Sequence, residues 1–281
     1  MSAYPPPLWL KSLAQVSRKL GAIPGMWRLL RILHSPDKRD KWHLKDLAPA
    51  LYSNALFEVE TNSYVEWQIF FFSTLDISVH TWICKNVQPD WVVFDVGANI
   101  GFFSVLLSQR SYECHSFEPN IQLKDKFSKN LELNNIGNCR LVEVALSNKT
   151  GTTRFHLVPR ENNNKGVSSL IRDTSGPIID VPIMKLDEYV CEAELKRLDF
   201  IKMDVEGAES LVLSAATETL TKMRPAIIFE TVLGNREQCI SILEESDYLI
   251  TRLDGSSIDA EYENAPDLLA IPREKHQNFR M

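Results

Sequence analysis

The chain has 281 residues, 44% of them apolar and 24% charged, with 14 Pro and 11 Gly, a balance that excludes a disordered or collagen-like protein. The net charge of −6 is unevenly spread: residues 1–46 hold nine basic and three acidic side chains, so they sum to +6 and the remainder to −12. An acidic body lacks the basic face that phosphate contacts need, which argues against a nucleic-acid partner and for a small polar or uncharged one.

The five cysteines are dispersed and form no C-x-x-C pair, which fits neither a zinc knuckle nor a redox dithiol and points to a reducing, cytoplasmic compartment. Apolar runs such as residues 69–72 are far too short to span a bilayer, and no signal-peptide pattern opens the chain.

Lys11, Arg18, Lys19, Arg28 and Arg31 precede the first acidic residue, Asp37, and predict one or two short basic helices interrupted by Pro24 and Gly25. Three roles compete for this arm. The plainest is packing on the main domain; the others are a peripheral membrane contact through Trp9, Leu10, Leu13, Trp27 and Leu30, and an organelle transit peptide. Next comes YVEWQIFFF at residues 64–72, where Val65, Ile69 and Phe72 recur at helical spacing. That spacing favours core packing over an aromatic platform for a sugar ring.

From Trp91 short apolar strands alternate with amphipathic helices, the pattern of an α/β protein whose parallel sheet carries helices on both faces. Strands are predicted at 91–96, 112–118, 139–145, 198–204, 225–231, 247–253 and 267–271. Helices fit 101–110, 209–221 and 235–245, and Leu123, Phe127 and Leu131 mark another that ends at NNIGN. Residues 152–186 break the rhythm: pieces around RFHLV and IIDVPIM flank the polar run ENNNKG, as an inserted hairpin with a long loop would.

VVFDVGANIGFFSV sets a buried strand before Gly97 and Gly101 and a helix after them, a turn at which a ligand can approach the backbone and meet helix N-terminal amides. A dinucleotide would lay a pyrophosphate on this turn. Asp95, two residues before Gly97, would repel it, whereas S-adenosylmethionine carries an ammonium and a sulfonium and no phosphate. The next strand ends at Glu118, where a carboxylate can accept hydrogen bonds from both ribose hydroxyls, with Asn120 in support. A carboxylate there serves NAD equally, so Glu118 does not choose between the cofactors. After the third strand Glu143, Ala145 and Leu146 are placed to border an adenine.

LDFIKMDVEGAESLVL supplies the second cluster: a strand delivers Asp204 and Glu206 at i and i+2, Gly207 turns the chain, and Glu209 enters the first turn of a helix. Dipole compensation explains one such acid, Glu209 most readily, and explains all three poorly. Ligands in open α/β sheets bind beyond the carboxyl ends of the strands, so Asp204 or Glu206 can take a proton from an acceptor hydroxyl there. Lys202 balances part of this charge, Glu230 at the end of the following strand faces the same cleft, and the trio has the oxygen donors of a Mg²⁺ or Ca²⁺ site.

In order along residues 91–231, FDVGANIG, FEPN, the Asn-rich helix end at 130–135, VALSNKTG, PIMKLDEY, KMDVEGAE and RPAIIFE resemble the FkbM family of S-adenosylmethionine-dependent methyltransferases. The resemblance implies a Rossmann-like class I methyltransferase fold, a mostly parallel seven-stranded sheet, and O-methylation of a hydroxyl on a saccharide, glycolipid or related small molecule. Carried over by position, it implies Asp95, Gly97, Asn99, Gly101, Glu118 and Asn120 for the donor and Asp204, Glu206 and Glu209 for the acidic motif. On this reading residues 1–60 are a basic helical arm and residues 61–281 the methyltransferase domain. Two rivals stand beside it: an NAD-dependent oxidoreductase, whose G-x-G-x-x-G spacing is absent, and a non-catalytic binding module of the same fold.

Overall fold

The computed structural model describes residues 8–20, 43–157, 176–231, 234–258 and 267–280. Helix α1 (Leu8–Leu20) packs on the body through Leu10, Ala14 and Ser17, whose hydroxyl donates to the Phe71 carbonyl at 2.6 Å. The arm's helix is therefore docked on the main domain; Trp27 and Leu30 lie outside the described residues. Strands β1 (Lys45–Pro49) and β2 (Leu56–Glu60) form an antiparallel hairpin that the sequence reading left inside the arm. LFEVE carried the signal: Phe57 and Val59 are fully buried while Glu58 and Glu60 face outward to pair with Lys45.

Helix α2 (Tyr64–Phe72) buries Trp67, Ile69, Phe70 and Phe71, as core packing requires. Helix α3 (Ile77–Asn86) is capped by Asp76, whose side chain accepts from the Val79 amide at 2.8 Å. Then β3 (Val92–Val96), α4 (Phe102–Ser108), β4 (Glu113–Phe117), α5 (Lys124–Leu133) and β5 (Cys139–Val142) follow the predicted order. The third predicted strand divides at Val142, where the Val144 amide bonds back to the Val142 carbonyl at 2.9 Å and turns the chain out of the sheet. Its continuation β6 (Ala145–Leu146) joins β7 (Gly151–His156) and β8 (Ile178–Met184) in a separate three-stranded sheet. β7 and β8 pair antiparallel, as the inserted hairpin predicts, while the ENNNKG run lies outside the described residues.

Helix α6 (Leu186–Glu192), β9 (Phe200–Met203), α7 (Glu209–Ser214), β10 (Ala226–Glu230), α8 (Arg236–Glu245), β11 (Tyr248–Thr251) and β12 (Asp267–Pro272) complete the chain. The helix expected over 209–221 is interrupted because Asp187 accepts from the amides of Glu218 and Thr219, both at 2.9 Å, and so caps a new helical segment.

The main sheet has the order β11-β12-β10-β9-β3-β4-β5, parallel except for β12. Alternation along β3 divides the core: Val93 packs with α1, α2 and α4, while Val92, Phe94 and Val96 pack with α6 to α8 on the other face. Strand order reverses between β3 and β9, and that switch point holds both motifs found in the sequence.

Candidate active site

Two loops leave the sheet at the switch point. The first spans Gly97 to Gly101 and holds three residues at positive φ: Gly97 at 85°, Asn99 at 52° and Gly101 at 83°. At Gly97 a side chain is impossible, since an added Cβ would lie 1.8 Å from the Asp204 carbonyl oxygen on the neighbouring loop. The amides of Gly97 and Ala98 both donate to the Phe117 carbonyl at 3.0 Å, Gly101 donates to Ala98, and Asn99 donates to Glu118 Oε2 at 2.9 Å. These four amides are committed within the protein, so the turn itself offers none of them to a phosphate.

Glu118 accepts from Asn99 through one oxygen and from the Asn120 amide, at 2.8 Å, through the other. Asn120 supports the carboxylate by this backbone contact, while its side chain caps the turn that follows by accepting from Gln122. Burial pushes the Glu118 carboxyl up to about 7, against the pull of those two amides. It lines a cleft with Gly97, Asn99, Phe117, Val144, Ala145, Leu146, Phe155, Asp204 and Glu206. The cleft thus joins an apolar wall, a carboxylate oriented by two amides, and a position, Gly97, that carries no Cβ. Glu143 stands apart from it, paired with Lys124.

Asp95 is fully buried beneath the loop. Its Oδ2 accepts from Ser104 at 2.6 Å, and its Oδ1, without a hydrogen bond, lies 3.8 Å from Lys202 Nζ. Burial raises its pKa, opposed by Lys202 and Ser104. The side chain thus faces Lys202 rather than the cleft.

The second loop runs from Asp204 to Ala208. Its Asp204 amide bonds to the Val96 carbonyl at 2.9 Å, tying it to the end of β3 just before the first loop, and Glu206 takes a left-handed φ of 55°. Glu209 is 1% exposed and braces the loop from inside: Oε1 accepts from Val205 at 3.0 Å and Gly207 at 3.4 Å, and Oε2 from Asn235 Nδ2 at 2.6 Å. Its carboxylate is therefore turned away from the cavity that Asp204 and Glu206 line.

That cavity measures about 300 Å³ and lies between this loop and α2. Tyr64, Val65 and Gln68 of α2 face it, so a helix read as core presents its other side to the site. Glu230 lines it too, pushed up to about 9 by burial and then by Asp204, Glu206, Asp267 and Glu209. The sequence reading missed Asp267 and Asp76. Asp267 is the register partner of Glu230 across β10 and β12, and burial, then Asp76 and Asp204, push it up to about 7. Lys202 is the one cation among the described residues lining the cavity; burial works to lower its pKa, and Asp204, Asp95 and Asp267 outweigh that and raise it. Among the described residues no three acidic, histidine or cysteine side chains converge as metal ligands.

A mostly parallel seven-stranded sheet with helices on both faces and its loops gathered at the switch point is a Rossmann-like fold. The family model "Methyltransferase FkbM domain" matches residues 95–270, and the chain belongs to that family. It is 33% identical over 170 residues to the 2-O-methyltransferase NoeI of Sinorhizobium fredii (strain NBRC 101917 / NGR234), covering 54% of this chain and 68% of the relative. It is 27% identical over 146 residues to the hexuronic acid methyltransferase AglP of Haloferax volcanii, covering 52% and 58%. A solved structure of methyltransferase FkbM from Methylobacillus flagellatus KT matches with 12% identity and a TM-score of 0.44, over 92% of this chain and 58% of that one. The protein is a methyltransferase with S-adenosylmethionine as its cofactor, and the oxidoreductase alternative falls. Among the described residues no helix is long and apolar enough to cross a membrane.

Proposed function

We propose that the protein methylates a hydroxyl of a saccharide or related small molecule held in the 300 Å³ cavity. One observation carries this reading: Gly97, Asn99, Asp204 and Glu206 line both the cleft at Glu118 and the cavity, so the two spaces meet at these four residues. A group passed from one to the other crosses there. The names of NoeI and AglP, an O-methyltransferase and a hexuronic acid methyltransferase, support the acceptor class.

Glu118, set by the amides of Asn99 and Asn120, would hold the ribose hydroxyls, with Ala145 against the base and Gly97 leaving room for the cofactor backbone. Gly101 starts the helix that follows, and Asp95 anchors the loop from below through Ser104. When bound, S-adenosylmethionine supplies a methyl group on a positively charged sulfur, which leaves as a neutral thioether with the bonding pair. The chain's own residues align the acceptor and receive its proton: Asp204 or Glu206 takes it, Glu209 holds their loop, and Glu230 donates a hydrogen bond to the acceptor from its protonated form. Tyr64, stacked on Trp67, lines the cavity as an aromatic wall for a sugar.

The test is formation of S-adenosylhomocysteine from S-adenosylmethionine across a panel of glycosides, with mass spectrometry locating the methyl. A methyl on oxygen supports the reading. Methylation confined to nitrogen or carbon acceptors overturns it.

A further inference from the structure

The cavity wall holds several carboxyl groups, and the sequence does not say which one takes the proton. We propose that Lys202 is a positioning residue that selects Asp204 for that role by holding its carboxylate between the two loops. The inference rests on reading the cavity as the place of methyl transfer and assigns the division of labour within it.

Lys202 lies on β9 directly opposite Asp95 in the parallel register with β3, at the point where strand order reverses. It is 5% exposed, and its Nζ lies 3.8 Å from Asp95 Oδ1, 3.4 Å from Asp204 Oδ2 and 5.0 Å from the Phe103 ring centre. A buried ammonium with this surround has little freedom: the ring covers one side, and two carboxylates take its charge. Among the described residues Asp95 Oδ1 has no hydrogen-bond donor, so Lys202 is the group that faces it, while Ser104 serves Oδ2.

The same ammonium then reaches Asp204, whose side chain is 41% exposed and lines both spaces. The charged and titratable groups that act on Asp204 are Lys202 on β9, Asp95 on β3, Glu230 on β10 and Asp267 on β12, with Glu206 in its own loop lining the same cavity. All but Lys202 are acids, and each of them disfavours the ionised form of its neighbours. Ammonium contact within 4 Å goes to Asp95 and Asp204 and, among the described residues, to neither Glu230 nor Asp267. Burial and mutual repulsion protonate Glu230 and Asp267 near neutral pH, which suits them to donate hydrogen bonds. Asp204, in contact with the ammonium at 3.4 Å, is the carboxylate placed to accept. In the proposed step only a proton moves, from the acceptor oxygen to an Asp204 carboxylate oxygen.

Replacing Lys202 alone would leave Asp95 buried without its cation, so a loss of stability would be mixed with any effect on Asp204. The test therefore uses Asp95→Asn as background and follows the Asp204 carboxyl carbon by NMR titration of the full chain, assigning the resonance by its loss in Asp204→Asn. In Asp95→Asn/Lys202→Met the Asp204 midpoint should lie at least about one pH unit above that in Asp95→Asn alone. Asp95→Asn/Lys202→Arg, which keeps a cation, should titrate with Asp95→Asn. Equal midpoints in all three variants overturn the proposal, as does an equal rise for Met and Arg, because a merely structural lysine would give either pattern. The titration uses neither cofactor nor acceptor, so its failure is distinct from failure of the methyl-transfer reading, which wild-type calorimetry with S-adenosylhomocysteine addresses separately.

Discussion

The loops after β3 and β9 stand side by side, and both carry acids and left-handed residues, yet they are built for opposite purposes. The first turns its amides inward, to Phe117, Ala98 and Glu118, and buries its acid, Asp95. The second is braced from within by Glu209 and leaves Asp204 and Glu206 lining open space. One loop contributes shape and the other contributes charge. Motifs of similar composition therefore need the same question asked of each polar group: whether its partner lies inside the protein.

The largest effect should come where the loops touch. Gly97→Ala forces a Cβ into the Asp204 carbonyl at a φ of 85° and should destabilise the fold by at least about 3 kcal/mol while abolishing cofactor binding. A denaturant midpoint close to wild type would show that the contact is relaxed in solution. Next, Asp204→Ala should lower kcat about 10²–10⁴-fold with little change in cofactor affinity, dividing the charge loop from the shape loop. An equal loss in affinity, read by calorimetry, would erase that division.

Glu209→Gln weakens three hydrogen bonds that hold the second loop and should cost about 1–3 kcal/mol of stability, measured by chemical denaturation. Glu118→Gln removes a charged acceptor from the first cleft and should raise the Kd for S-adenosylhomocysteine about tenfold at pH 8. Since the Glu118 carboxyl sits near 7, wild-type affinity should also fall as pH drops below that value, and the variant should be flat. The smallest effect is a slope. Glu230 and Asp267 have folded pKa values raised to about 9 and about 7, so their contribution to stability is present below their ordinary values and is lost as pH rises through the folded ones. The melting temperature of the cofactor-free protein should therefore decline between about pH 5 and pH 9, less steeply in Glu230→Gln; parallel curves would falsify the assignment to Glu230.

The strands from 91 to 271, the helices between them and the inserted hairpin were legible because each depends on local periodicity, turn residues and caps. The hairpin at 45–60 was legible too, in the alternation of LFEVE, and was obscured by the basic residues around it. The arrest of β5 at Val142 and the break after Ser214 were not, because a backbone turn and a cap supplied from Asp187 decide them.

For the site, the sequence alone determined which residue types gather at the switch point and their kinship with one family, since Asp95, Gly97, Glu118, Asp204 and Glu206 lie within contiguous motifs. Only the tertiary structure decided where each one points and what it touches. It turned Asp95 toward Lys202, drew Glu209 into its own loop, brought Asp76, Asp267 and one side of α2 to the cavity, and joined two spaces through four shared residues. The reason is physical: a motif records chemistry along the chain, whereas burial and register across neighbouring strands set which atoms remain available to a ligand.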